Sequence, residues 1–160
     1  MTAGTRAPLY RRVRHLPRRV RRLSWRRRVL LAKAAVLVAL VRIGLKVLPF
    51  KTVVAAVRSF GRPVARLEAA PAPVEDLAWG VHAVSRRALQ DRPCLTQALA
   101  LLMLARRRGY TDVALRIGVK KDAAGRLLAH AWIERADRVL IGGLRDLADY
   151  NVLPPLQALA

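Results

Sequence analysis

The sequence predicts an α+β fold in which a central helix that begins at a cysteine packs on a small antiparallel sheet, preceded by a basic helical N-terminal region. Two patterns carry this prediction. Residues 94–108 form a helical segment that is apolar on every side between Ala98 and Ala105, as a buried central helix is. Residues 113–119 and 127–134 each alternate along the chain, with apolar side chains in every second position, as half-buried strands do. The chain of 160 residues is long enough to enclose such a core.

Charge divides the chain into two regions. Residues 1–67 contain 18 lysines and arginines and no carboxylate, whereas residues 68–160 contain 13 basic and 10 acidic side chains. We therefore predict a basic, mainly helical region over 1–67, whose first 28 or so residues are candidates for disorder, followed by a second domain over 68–160.

The arginine-rich arm over residues 6–28 leaves three interpretations open. It is a solvated tail, or an arm that docks an acidic peptide or partner protein, or a segment attracted to nucleic acid or to a membrane surface through phosphates. Nucleic acid is the less favoured partner, because Tyr10 and Trp25 are the only rings before Phe50 and stacking platforms need more.

The apolar stretch over residues 29–50 is interrupted by Lys33, Arg42 and Lys46. It is too short between charges to span a bilayer and predicts a buried or interfacial helix. Paired arginines before it are typical of an export signal, but no small-residue cleavage site follows closely. A single cysteine excludes an intrachain disulfide and fits a reducing compartment, so the expected location is the cytoplasm.

Proline and glycine residues mark where the helices of the second region begin and end. A linker over 59–74 is indicated by Gly61, Pro63, Pro71 and Pro73. Residues 75–89 predict a helix with acids in its first turn, as the helix dipole prefers. Pro93 and Gly109 bracket the central helix over 94–108.

Three strands follow the central helix. Alternation predicts strands over 113–119 and 127–134, with a polar turn between them. Ala136 and Asp137 predict a tight turn into a third, antiparallel strand over 138–141. In the second strand, His130 shares the mixed face with Trp132 and Glu134.

Cys94 and His130 are the candidate reactive pair. Cys94 stands in the first turn of a helix, where unpaired N–H groups stabilise a thiolate, and an imidazole can take the thiol proton. The alternative is that Cys94 is a small core residue and His130 an ordinary strand residue. His15 and His82 are competing bases. One cysteine and three scattered histidines have no ligand spacing, so neither a metal nor a cofactor is expected.

A family resemblance adds to these patterns. The segments Cys94–Leu99 (CLTQAL), Leu115–Val119 (LRIGV) and Ala129–Glu134 (AHAWIE) resemble the transglutaminase-like leader peptidases of lasso-peptide biosynthesis, over about residues 75–153. The resemblance implies a papain/transglutaminase-like fold for the domain over 68–160, and a cysteine protease. Such a protease would remove the leader from a ribosomally made precursor, and it would act with a small leader-recognition protein and an asparagine-synthetase-like cyclase.

The remaining site residues are less defined. The family's aspartate usually follows the histidine by about a dozen residues, where this chain has two glycines. Asp146 and Asp149 lie just beyond them and could substitute, with Asp146 the favoured one; a backbone carbonyl or water is the alternative. Gln90 is a candidate oxyanion donor, and Trp132 either borders the substrate or fills the core. Rival functions are a non-catalytic peptide-binding module of the same fold, a transferase acting on glutamine side chains, or a basic protein associated with nucleic acid or a membrane surface.

Overall fold

The computed structural model describes residues 23–60, 72–88 and 94–154. The helices are α1 (Trp25–Val47), α2 (Phe50–Phe60), α3 (Val74–Ala88) and α4 (Cys94–Arg107). The strands are β1 (Ala114–Lys121), β2 (Leu127–Arg135), β3 (Arg138–Ile141) and β4 (Asn151–Val152), with a 3₁₀ turn at Leu147–Asp149. The predicted division between residues 67 and 68, and the arm before residue 23, lie outside the described residues.

The buried helix α4 forms the centre of the molecule. All side chains from Ala98 to Ala105 are buried, and the helix contacts α1, α2, α3 and three of the strands. It ends because Gly109 takes a positive φ of 85°, which lets the Tyr110 N–H donate back to the carbonyl of Ala105. The central helix predicted from the sequence is confirmed with its boundaries nearly unchanged.

The helix expected in the apolar stretch over 29–50 is present as α1, but it ends at Val47, so that only Phe50 of the stretch belongs to α2. Leu48 is extended, as residues before a proline are, and its N–H donates to the carbonyl of Gly44. Helix α2 then starts after Pro49 and contributes Val53 and Val57 to the core. None of the helices in the described ranges combines the length and apolar character that a bilayer crossing requires.

The sheet is antiparallel, with its strands in the order β3-β2-β1-β4. Ala136 and Asp137 both have positive φ, which is the tight two-residue turn that the sequence predicts between β2 and β3. A register shift beside Ile133 then moves β3 along β2. Strand β4 was not predicted, because two residues show no alternation; it pairs with β1 at Gly118 and Val119.

The sheet buries both of its faces near the middle of β2. Ala131 and Ile133 belong to the helical core, together with Leu115 and Ile117 of β1. Trp132, which points to the opposite side, is 4% exposed but lies outside that core cluster. A second small cluster therefore covers the face of the sheet on which His130 lies.

Candidate active site

A cleft of about 900 Å³ opens between α3, the beginning of α4 and the β3 edge of the sheet. Its lining brings together Cys94 and His130, which are far apart in sequence. The segment that follows β3, from Gly142 to Leu144, completes the rim. The fold thus places the two candidate reactive residues on the walls of one cavity.

Cys94 is the first residue of α4 and is partly buried. It packs against the edge of the hydrophobic core and also lines the cleft. A thiol at this place lies in the first turn, where backbone N–H groups lack intrahelical acceptors. Such groups stabilise negative charge on a thiolate or on an oxyanion that forms next to it.

His130 is half-buried and has a defined hydrogen-bond partner. Its Nε2 atom lies 2.7 Å from the carbonyl oxygen of Gly142. Because a carbonyl oxygen only accepts hydrogen bonds, Nε2 carries the proton and donates it. In a neutral imidazole, Nδ1 then holds the lone pair that a general base uses.

The direction of the Gly142 carbonyl depends on glycine. Gly142 has a positive φ of 83°, and a Cβ atom there would lie 2.7 Å from the carbonyl oxygen of Ala131. At neighbouring Gly143 a Cβ atom would only meet Val139 at 3.7 Å, which is ordinary contact. Close packing and left-handed backbone therefore require glycine at 142 and not at 143.

Aromatic rings hold the imidazole from its other sides. His130 stacks on Trp132 with ring centroids 6.2 Å apart, and its ring lies 5.7 Å from that of Tyr150. Gly118 pairs with His130 across the sheet, and a Cβ atom there would come within 2.9 Å of Tyr150. The absence of a side chain at Gly118 therefore makes room for the side chains of Trp132 and Tyr150. Trp132 also donates from Nε1 to Glu134 at 3.3 Å.

Comparison with protein families agrees with this architecture. Residues 35–154 match the model of the transglutaminase-like superfamily. The chain belongs to this superfamily. Neither the curated proteins nor the solved structures gave a match. The transglutaminase-like α+β fold expected from the sequence is confirmed, and members of the superfamily are often cysteine hydrolases or transferases.

Asp146, the predicted third member of the catalytic group, lies in a different contact in this transglutaminase-like chain. Its carboxylate pairs with Lys120, whose ammonium lies 4.7 Å from the Tyr150 ring centroid. The hydrogen bond from Lys120 holds the pKa of Asp146 below its usual range. His130 Nε2 donates its hydrogen bond instead to the carbonyl of Gly142, which is the backbone alternative left open by the sequence.

The other predicted residues fall in three places. Trp132 stacks against the imidazole of His130 and is not among the described residues that line the cleft. Gln90 lies outside the described residues. Of the competing histidines, His82 is exposed and lines the cleft, while His15 lies outside the described residues.

Ser85 is a cleft residue that sequence reasoning missed. It is 1% exposed, and its Oγ atom has no hydrogen-bond partner among the described residues. A signal for it exists in the sequence, because Ser85 continues the buried stripe of α3 formed by Val74, Leu77 and Val81. A hydroxyl in an apolar stripe is unusual and costs stability when it is unpaired.

Proposed function

We propose that this transglutaminase-like protein is a cysteine peptidase that removes the leader from a lasso-peptide precursor. The observation that carries the proposal is the shared cleft, in which Cys94 at a helix start faces the same cavity as His130. The hydrogen bond from His130 Nε2 to Gly142 supports it further, because it leaves Nδ1 as the basic atom.

The proposed reaction proceeds in two steps. His130 Nδ1 takes the thiol proton, and the Cys94 sulfur attacks the carbonyl carbon at the junction between leader and core. The C–N bond breaks, His130 gives the proton to the leaving amine, and the leader remains as a thioester on Cys94. Water activated by His130 then hydrolyses the thioester, which releases the leader acid and restores the thiol.

The products fit the next step in lasso-peptide formation. The core peptide leaves with a free N-terminal amine, which an asparagine-synthetase-like cyclase would join to a side-chain carboxylate. We propose that a small leader-recognition protein delivers the precursor to the cleft. A peptide of either charge would meet complementary groups there, since Glu75, Arg86 and Arg138 line it.

The proposal is tested by mixing the purified chain with the precursor and the recognition protein and following leader release by mass. We expect the wild type and His82→Ala to release leader, and Cys94→Ala to lose turnover while keeping leader affinity. His82 is the matched control because it lines the same cleft. Turnover by Cys94→Ala, or transfer of the leader to an added amine in preference to water, would overturn the peptidase assignment.

A non-catalytic peptide-binding module is the second candidate. One observation favours it: the imidazole is oriented by a neutral carbonyl and not by a carboxylate, which gives less stabilisation to an imidazolium. This candidate expects leader binding with no release in any variant, and equal leader affinity in wild type and Cys94→Ala. The same experiment therefore separates the two functions.

A further inference from the structure

Helix α1 is apolar on two opposite sides. Its inner side is buried through Leu30, Ala34, Val38 and Val41. A second row recurs along the outside of the helix at intervals of three, four or seven residues. We call it the outer stripe: Trp25, Ala32, Val36, Leu40, Ile43 and Val47. Its large side chains are 58–74% exposed, so nothing in the described residues covers them.

Basic side chains follow both edges of the outer stripe. At 3.6 residues per turn, Arg26 and Lys33 lie along one edge, and Arg42 and Lys46 lie along the other. Helix α1 itself contains no carboxylate to balance them, and the ion pair between Arg27 and Asp76 of α3 lies outside both edges. An apolar row between two cationic edges is the pattern of helices that lie in a membrane interface.

We propose that α1 binds the surface of an anionic phospholipid bilayer through the outer stripe. Helix α1 has 23 residues and would lie parallel to the surface over about 34 Å. Trp25 stands at one end, where an indole suits the headgroup region. Beyond the other end of α1, Leu48 and Phe50 are exposed apolar side chains as well.

Charge argues against two other ways of covering the outer stripe, by a second copy of the chain or by its own N-terminal residues. A second copy packed on α1 would bring cationic edges together, with no carboxylate on either helix to pair with them, which opposes helix pairing. The chain's own residues 1–22 contain eight arginines and no acid, so they are repelled as well. A bilayer provides negative charge along the whole helix and needs no matching shape, which suits a convex row of side chains.

The test is flotation of the full chain with vesicles of phosphatidylcholine mixed with phosphatidylglycerol, and with vesicles of phosphatidylcholine alone. We expect binding to the anionic vesicles that decreases with added salt. Leu40→Ser combined with Ile43→Ser should weaken it by about tenfold or more, because less apolar surface enters the interface. Ala35→Ser is the matched control, since Ala35 is exposed on α1 but outside the stripe. Lys33→Gln should weaken binding about fivefold.

Circular dichroism checks that each variant folds, which is expected because the substituted side chains are exposed. The proposal is overturned if the wild type does not float with anionic vesicles at low salt. It is also overturned if the double variant floats as well as wild type, which would assign binding to the arginine arm alone. A wild-type dimer that the double variant abolishes, in a chain that binds no vesicles, would assign the stripe to a second copy.

Discussion

The two faces of strand β2 are stabilised in different ways. On the helix side, Ala131 and Ile133 contact the apolar core, where the favourable energy comes from area removed from water. On the other side, His130 and Trp132 lie in a small cluster of rings and hydrogen bonds, which fixes the orientation of these side chains as well as burying them. The first face should tolerate changes that keep volume, while the second should tolerate only changes that keep geometry.

The largest expected contrast between the two faces is that between His130→Ala and Ile133→Ala. We expect His130→Ala to lower leader release by about 10²–10⁴-fold, because it removes the proposed base, and to lower the free energy of unfolding by only about 1–2 kcal/mol, because one hydrogen bond and the ring contacts are lost. Ile133 is fully buried, and Ile133→Ala should lower the free energy of unfolding by about 2–5 kcal/mol, with activity retained in the folded fraction. Peptide-release kinetics and urea unfolding check both variants. If His130→Ala and Ile133→Ala lost the same activity per folded molecule, the proposed difference between the two faces of β2 would be wrong.

A finer contrast uses the two adjacent glycines. Gly142→Ala should lower the free energy of unfolding by about 1–3 kcal/mol and reduce activity, because the backbone that carries the His130 acceptor must move. Gly143→Ala should be within about 1 kcal/mol of wild type, because its Cβ atom has room. Thermal unfolding and leader release measure both effects. Identical behaviour of the two variants would contradict the role given to the Gly142 carbonyl.

Ser85→Ala tests whether the cleft contains an unpaired hydroxyl. Removing an unsatisfied buried Oγ atom should raise the free energy of unfolding by about 1 kcal/mol. Chemical unfolding measures the change, with kcat and KM followed in parallel. A loss of stability would mean that the hydroxyl has a partner in the folded protein.

The smallest effect is expected for Asp146→Asn. The carboxylate is bound to Lys120 at an exposed site, so both activity and stability should stay close to wild type at neutral pH. Because Lys120 lowers its pKa, ionised Asp146 stabilises the fold above the ordinary carboxyl pKa, and this contribution is lost as the pH falls through the lowered value. The small difference in unfolding temperature between wild type and Asp146→Asn at neutral pH should therefore disappear in acid, as thermal unfolding at several pH values would measure. A hundredfold loss of activity in Asp146→Asn would restore it as the residue that orients His130.

The sequence predicted those parts of the site that depend on local pattern. The helix that begins at Cys94 follows from its apolar sides and its bracketing proline and glycine, and the face of His130 follows from strand alternation. The turn at Ala136 and Asp137 was found in the same way. These features need only neighbouring residues to be specified.

The partner of the imidazole could not be predicted in the same way. The register shift beside Ile133 and the positive φ of Gly142 together set where the carbonyl points; the paired glycines permit such a φ but do not show which of them adopts it, and the register shift leaves no mark in the side-chain pattern. The buried second face was also unexpected, because it depends on Tyr150 reaching Gly118 from a distant segment. Long-range contacts and backbone direction therefore account for what the sequence did not show.

The reaction of Cys94 with iodoacetamide tests the central claim most directly, because the chain has a single cysteine and no substrate is needed. If His130 activates this thiol, His130→Ala should slow alkylation at neutral pH by about tenfold or more, while His82→Ala in the same cleft should leave the rate unchanged. Equal alkylation rates in wild type and His130→Ala, measured by intact mass, would contradict the account.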